Sequence, residues 1–173
     1  MANYKDLKLS FKDVNLNKIT PDNDLFVFDG SINGEVNFNQ DNKIYRPTAN
    51  LNISEFILNK NNLGALSLNI TGDENLSNFA IASSIQNDNF ESFNTTGNLS
   101  IENNETVFDL RVMLDKFNLA TLGPVGGEVL SNIRGFVSGN ATIQGNVNKP
   151  EINGRLFIDK AGMGISYLGT DYN

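Results

Sequence analysis

Residues 133–158 read IRGFVSGNATIQGNVNKPEINGRLFI. Apolar and polar positions alternate, and a period of two is the mark of a half-buried strand. Along such strands Ile133, Val137, Ala141, Ile143 and Val147 share one face, with Gly135, Gly139 and Gly145 interspersed on it. A packed core calls for large side chains at such places. Glycine inside a strand costs stability unless backbone or ligand must come close. The pattern suits a face that lines a space rather than filling one.

The same alternation recurs almost from end to end. Leu7, Leu9 and Phe11 alternate with polar residues, and so do Ile32, Val36 and Phe38, with Gly34 in phase. Leu51 with Ile53, Leu66 to Ile70, Phe79 to Ile85, Leu99 with Ile101, and Phe108 to Leu114 continue the series, and Ile152, Leu156, Ile158, Ile165 and Tyr167 complete it. Turn signals separate the runs: Thr20-Pro21-Asp22-Asn23, Asp29-Gly30, Arg46-Pro47, Asn59-Lys60-Asn61-Asn62, Gly72-Asp73, Asn87-Asp88-Asn89, Glu102-Asn103-Asn104 and Asn148-Lys149-Pro150. Their spacing of roughly 10 to 20 residues predicts an all-β array of about ten strands. No linker-like shift of composition interrupts it, so residues 1–173 read as one domain.

Alternation stops only in Phe117 to Asn132, FNLATLGPVGGEVLSN, where apolar residues fall three and four apart. Gly123-Pro124 interrupts that pattern, so at most two short turns of helix are expected, the second near Pro124 to Gly127. The segment reads either as a plug or lid at the sheet edge or as a plain connector capping the core.

Composition excludes several classes of function. The chain has no His and no Cys, so His-based acid–base chemistry, thiolate nucleophiles and disulfides are out of reach. A net charge of -7 with only 13 Lys and Arg argues against nucleic acid as a partner and against docking on anionic headgroups. The acidic pairs Asp73-Glu74 and Asp22/Asp24 lie in turn-like clusters where solvated acids belong, and neither Asp22-Asn23-Asp24 nor Asp88 has the ligand spacing of a calcium loop. Gly123-Pro124-Val125-Gly126-Gly127 lacks the Lys-Ser/Thr of a phosphate loop. Nothing points to an enzyme, a metal or a cofactor. Asparagine makes up roughly one residue in six, far above average usage. Its spread among apolar residues fits solvent-facing strand and turn positions, and the Asn-x-Ser/Thr triplets at Asn52, Asn69, Asn98 and Asn140 follow from that abundance. No apolar run reaches the length of a membrane helix, and the opening MANYKDLKLSF lacks the apolar segment of a signal peptide.

From Val112 to Asn173 the chain resembles the C-terminal part of the TamB family and its AsmA-like relatives. The resemblance is carried by FNLATLGPV, then NIRGFVSGNATIQGNVNKPEINGRLFIDKA, then SYLGTDY. Within these, a glycine-spaced strand from Gly135 to Gly145 runs to the turn Asn148-Lys149-Pro150, and the next strand opens with Ile152-Asn153-Gly154-Arg155-Leu156. Residues 1 to about 110 match only in style, as repeated amphipathic strands. The resemblance implies a U-shaped, taco-like, largely parallel sheet, excised from a much longer periplasmic protein of a Gram-negative envelope whose inner-membrane anchor lies outside this segment. It implies phospholipid acyl chains, an outer-membrane β-barrel of the Omp85 type and neighbouring segments of the same chain as partners.

The candidate groove lining is Ile32, Val36, Phe38, Leu66, Leu68, Ile70, Phe79, Ile81, Ile85, Leu99, Ile101, Phe108, Leu110, Val112, Leu114, Ile133, Val137, Ala141, Ile143, Val147, Ile152, Leu156 and Ile158. Three readings stay open: a lipid conduit, a chaperone that captures outer-membrane strands by edge pairing, and a structural sandwich or solenoid with a dry core.

Overall fold

A run of alternating residues becomes a strand only if its backbone finds partners, and short polar turns supply the nearest one, the chain folding back on itself. The computed structural model describes residues 4–21, 23–41, 44–87, 89–102, 105–146 and 148–172. Its strands are β1 (Tyr4–Asn15), β2 (Phe28–Asp41), β3 (Ile44–Leu58), β4 (Asn61–Gly72), β5 (Asn78–Asn87), β6 (Phe90–Glu102), β7 (Glu105–Asn118), β8 (Leu130–Asn146), β9 (Glu151–Ile165) and β10 (Thr170–Tyr172). They form one ten-stranded sheet in strict chain order. The all-β expectation and the number of strands hold.

The largely parallel arrangement does not. Every neighbouring pair in the sheet is antiparallel. The reason lies in the connections: a parallel neighbour needs a crossover of about a dozen residues or more, whereas Asn59 and Lys60 alone join β3 to β4. Asp73 holds the β4–β5 turn by accepting from Asn78 Nδ2 and the Ser77 N–H, each at 2.8 Å, so this acid is a turn-former, as its context suggested. The expected turn at Asn148-Lys149-Pro150 is present, with the Asn148 N–H on Asn146 Oδ1 at 2.8 Å. Asp22, Asp88, Asn103 and Asn104 lie outside the described residues.

Two connections are long, 16–27 and 119–129, and both lie at the end of the sheet where the odd-numbered strands finish, called here the upper end. In the second, β7 runs on through Phe117 and Asn118, and the expected helical turns take the form of a 3-10 helix over Leu119–Gly126. Pro124 has no N–H to continue an α-helix, and glycines flank it. Asn118 caps the segment through Oδ1, which accepts from the Ala120 N–H at 2.9 Å.

Several strands also carry an irregularity at similar height, among them β1, β3, β7 and β9. The register breaks between Phe11 and Val14 on β1, between Ile53 and Phe56 on β3, and between Leu114 and Phe117 on β7, and β9 breaks opposite Arg134 and Phe136. At these breaks Asp13, Glu55, Lys116 and Lys160 have φ near +50°. Each break is a β-bulge, which bends its strand and increases its twist. Opposite strands meet the displaced amides with side chains: the Asp13 N–H reaches Asn33 Oδ1 at 3.0 Å, and the Lys116 N–H reaches Ser138 Oγ at 2.8 Å. The buried cluster straddles the bulges, with Leu16, Ile32, Ile53, Phe56, Leu63 and Ile85 flanked by Phe28, Phe93 and Phe117.

Candidate functional site

In an antiparallel sheet, residues directly opposite one another project from the same face, so the register shows whether the apolar stripes of separate strands join. They do. One row crosses nine strands as Val14, Ile32, Ile53, Leu66, Ile85, Phe93, Leu114, Gly139 and Leu156. Towards the lower end follow Phe11, Gly34, Leu51, Leu68, Ser83, Thr95, Val112, Ala141 and Gly154. Next come Leu9, Val36, Ala49, Ile70, Ile81, Gly97, Leu110, Ile143 and Ile152. Below these, Phe38 pairs with Leu7 and Pro47, and Phe79 with Leu99 and then Phe108. Ile101 sits one step further down β6. Above the first row, Phe117, Val137 and Ile158 stand side by side. The candidate lining within the described residues thus shares one face; Ile133 lies on β8 above Val137, and Val147 lies outside the described residues.

Burial along this face is graded. Ile32 is 3% exposed, and Ile85, Val112 and Val137 are also buried. Val36, Phe38, Ile70, Phe79, Ile81, Leu99, Phe108, Leu110 and Ile143 are half-buried. At the C-terminal arm Ile152 is 64% and Ile158 62% exposed, and at the N-terminal arm Leu7 and Leu9 are also exposed. The face is therefore filled at the upper end of the middle strands and open at both lateral edges. Two polar residues interrupt the rows, and both turn their hydroxyls onto the wall. Thr95 Oγ1 donates to the Arg111 carbonyl at 2.9 Å and Ser83 Oγ to the Ser67 carbonyl at 2.8 Å.

The opposite face is polar, with rows such as Asn33, Asn52, Ser67, Ser84 and Asn94, where Ser67 and Ser84 share a hydroxyl bond of 3.0 Å. Lys8 and Glu35 form an ion pair there at 2.6 Å. Asparagine's abundance thus accounts for the wet side of the sheet.

Sequence reading missed the aromatic upper part of the lining, Phe56, Phe93 and Phe117, with Leu63 and Leu16. The signal was present as two polar residues between apolar ones, in Ile53-Ser54-Glu55-Phe56 and Leu114-Asp115-Lys116-Phe117. In both, the bulge returns the second apolar residue to the same face. A cavity of about 370 Å³ extends the face into the C-terminal arm, lined by Leu119, Leu130, Ile133, Ile158, Ala161 and Met163, with Arg134 at its margin. Arg134 reaches across to Asp171 at 2.8 Å and pins β10. That guanidinium bond, more than any other contact, holds the Asp171 carboxyl below its usual range.

No helix among the described residues is long and apolar enough to cross a membrane. No curated protein and no solved structure matches the chain. Residues 83–171, more than half of its length, match the TamB C-terminal domain family. The match covers the strands that carry the glycine-spaced stripe and the arm with the cavity. The chain belongs to the TamB C-terminal domain family, whose place is the cell envelope and whose work belongs to the translocation and assembly module.

Proposed function

We propose that this chain is a section of a lipid-transfer trough, in which the continuous apolar face shields phospholipid acyl chains between the inner and outer membranes while headgroups stay in water along the open side. One observation carries the reading: the apolar stripes of nine strands join in register into rows that cross the sheet and remain open at both edges. Moving an acyl chain into water costs about 0.8 kcal/mol per CH2, so a palmitoyl tail faces a barrier of roughly 12 kcal/mol, most of which such a face removes. Aliphatic contacts of similar strength repeated from strand to strand let a tail slide. No chemical step is needed, and the residues offer none. The environment would be periplasmic, with neighbouring segments of a longer chain continuing the trough.

The test is photocrosslinking from Ile152 in the folded protein, combined with Ile143→Asp. Lipid adducts in the parent and their loss in the folded variant are expected; equal labelling in both would sink the proposal. Ile143 is half-buried, so the variant tests the lining without striking the core.

A second reading rests on a different observation. Among the described residues β10 pairs with β9 only from Met163 to Ile165, so the edge of β9 from Glu151 to Lys160 carries no strand. An unpaired edge captures extended peptide, which fits a chaperone role towards outer-membrane β-barrels or docking on an Omp85-type barrel. Binding of a barrel-derived peptide that survives Ile143→Asp and disappears with Leu156→Pro would favour it.

A further inference from the structure

The two long connections at the upper end come together on one side chain. Asn59, in the β3–β4 turn, donates from Nδ2 to the Thr121 carbonyl at 2.7 Å and to the Leu25 carbonyl at 3.0 Å. Its Oδ1 accepts from the Val27 N–H at 2.8 Å, and its own N–H donates to the Val27 carbonyl at 2.9 Å. A single asparagine thus joins residues 25–27, which precede β2, to the 3-10 segment between β7 and β8, 62 positions along the chain from Asn59. The backbone of Asn59 has φ +49°, a conformation that asparagine tolerates better than most residues.

Besides Asn59, the connector is held by packing on β8 and, at its far end, by the Ser166 N–H, which donates to the Val129 carbonyl at 3.0 Å. Of its residues only Thr121 is buried, at 0% exposure, and its hydroxyl bonds back to the Asn118 carbonyl at 2.7 Å. Runs of 3-10 helix beyond three or four residues are uncommon because their hydrogen bonds are poorly aligned. This one contains Pro124 and leads into Gly127 at φ +58°. Both connections also carry apolar side chains in water: Leu25 and Val27 on one, Val125 and Val129 on the other. Beneath the second, Leu119 forms part of the wall of the apolar cavity.

We propose that residues 119–129 are a gate over the upper end of the trough and that Asn59 is the clasp that keeps it shut, so that acyl chains enter or leave the C-terminal cavity there when the clasp releases. The inference rests on the lipid-trough reading. When the segment lifts, Leu119 leaves the cavity wall and the exposed valines gain an apolar partner in the arriving chain.

Two substitutions separate the clasp's bonds. Asn59→Gly keeps the positive-φ backbone and removes every side-chain bond. Asn59→Asp keeps the acceptor for Val27 but loses the donor to Thr121. Amide exchange over 119–129 is expected to rise about tenfold in both, the effect of losing one or two hydrogen bonds, while protection of Ile32 and Ile53 stays unchanged. Uptake and release of a fluorescent palmitate, followed by stopped flow, should accelerate to a similar degree with its equilibrium affinity little altered. Unchanged exchange over 119–129 in either variant would overturn the clasp. Raised exchange with unchanged palmitate rates would overturn the gate while leaving the trough in place. A parent protein that binds no palmitate at all, with exchange raised in the variants, would overturn the trough and the gate with it.

Discussion

At Gly139 the backbone has φ +138°, and a Cβ there would run into the carbonyl oxygen of Arg155 on the neighbouring strand. Gly123 has neither constraint: no heavy atom lies within 4 Å of where its Cβ would be. Gly139→Ala should therefore lower stability by about 1–3 kcal/mol, the usual cost of a sparsely populated backbone state. Gly123→Ala should be neutral or stabilising by up to about 1 kcal/mol through a less flexible unfolded chain. Urea unfolding of the pair distinguishes a glycine demanded by the bend from one that is merely permitted. Asp73 gives a second prediction at this scale. Its hydrogen bond from the Asn78 side chain, then that from the Ser77 amide, lowers its carboxyl below the usual range. A depressed folded-state value means that the stabilisation is complete above the unfolded value, about 3.9, and is lost as pH falls through the folded one. Asp73→Asn should lower stability most at neutral pH, with the loss shrinking as pH falls below about 4, so that the acid limb flattens; an unchanged acid limb would contradict this.

The bulges belong to the scale of the element. Lys116 has φ +48° between Leu114 and Phe117, which both lie on the apolar face. A left-handed backbone costs a residue with a Cβ about 1–2 kcal/mol, and glycine escapes that cost at a loss of about 0.5–1 kcal/mol in chain entropy. Lys116→Gly should be neutral or stabilising by up to about 1 kcal/mol, and Lys116→Val should destabilise by about 1–2 kcal/mol, a reversal that thermal unfolding would show. The strands themselves were legible in alternation, as in Ile32, Val36 and Phe38, because a sheet with one wet face keeps a strict period. The bulges were not: Lys12-Asp13 or Ser54-Glu55 reads as a lapse in the pattern until a partner strand supplies the register that absorbs it. The connector was half legible. Pro124 and its glycines announced the break, but the bond from Asn59 to Thr121 links residues that nothing local relates.

For the molecule as a whole, the exposed arm dominates behaviour in solution. β9 is exposed on both sides from Glu151 to Ala161, with Phe157 66% exposed on the polar face and Ile152 and Ile158 on the apolar one. Such an edge invites pairing between copies. Phe157→Lys is expected to reduce concentration-dependent association in sedimentation velocity while changing stability by less than about 0.5 kcal/mol, as for an exposed site. The antiparallel order was itself readable, since turns as short as Asn59-Lys60 leave no room for crossovers; the resemblance to a family had pointed the other way. The site was legible as a face, because its residues recur in phase, and illegible as a space, because which part is filled depends on where Leu16 and the connectors come to rest.

Strict chain order has a consequence for assembly. Each strand pairs with the one made just before it and offers an edge to the next. Most contacts therefore join strands consecutive in the chain, which keeps contact order low for an all-β sheet, and the sheet can grow from its first hairpin as the polypeptide emerges, without waiting for its far end. Insertion or loss of a hairpin lengthens or shortens such a sheet with no rethreading, as in repeat proteins whose units touch only their neighbours. Reach is then a quantity that evolution can adjust two strands at a time.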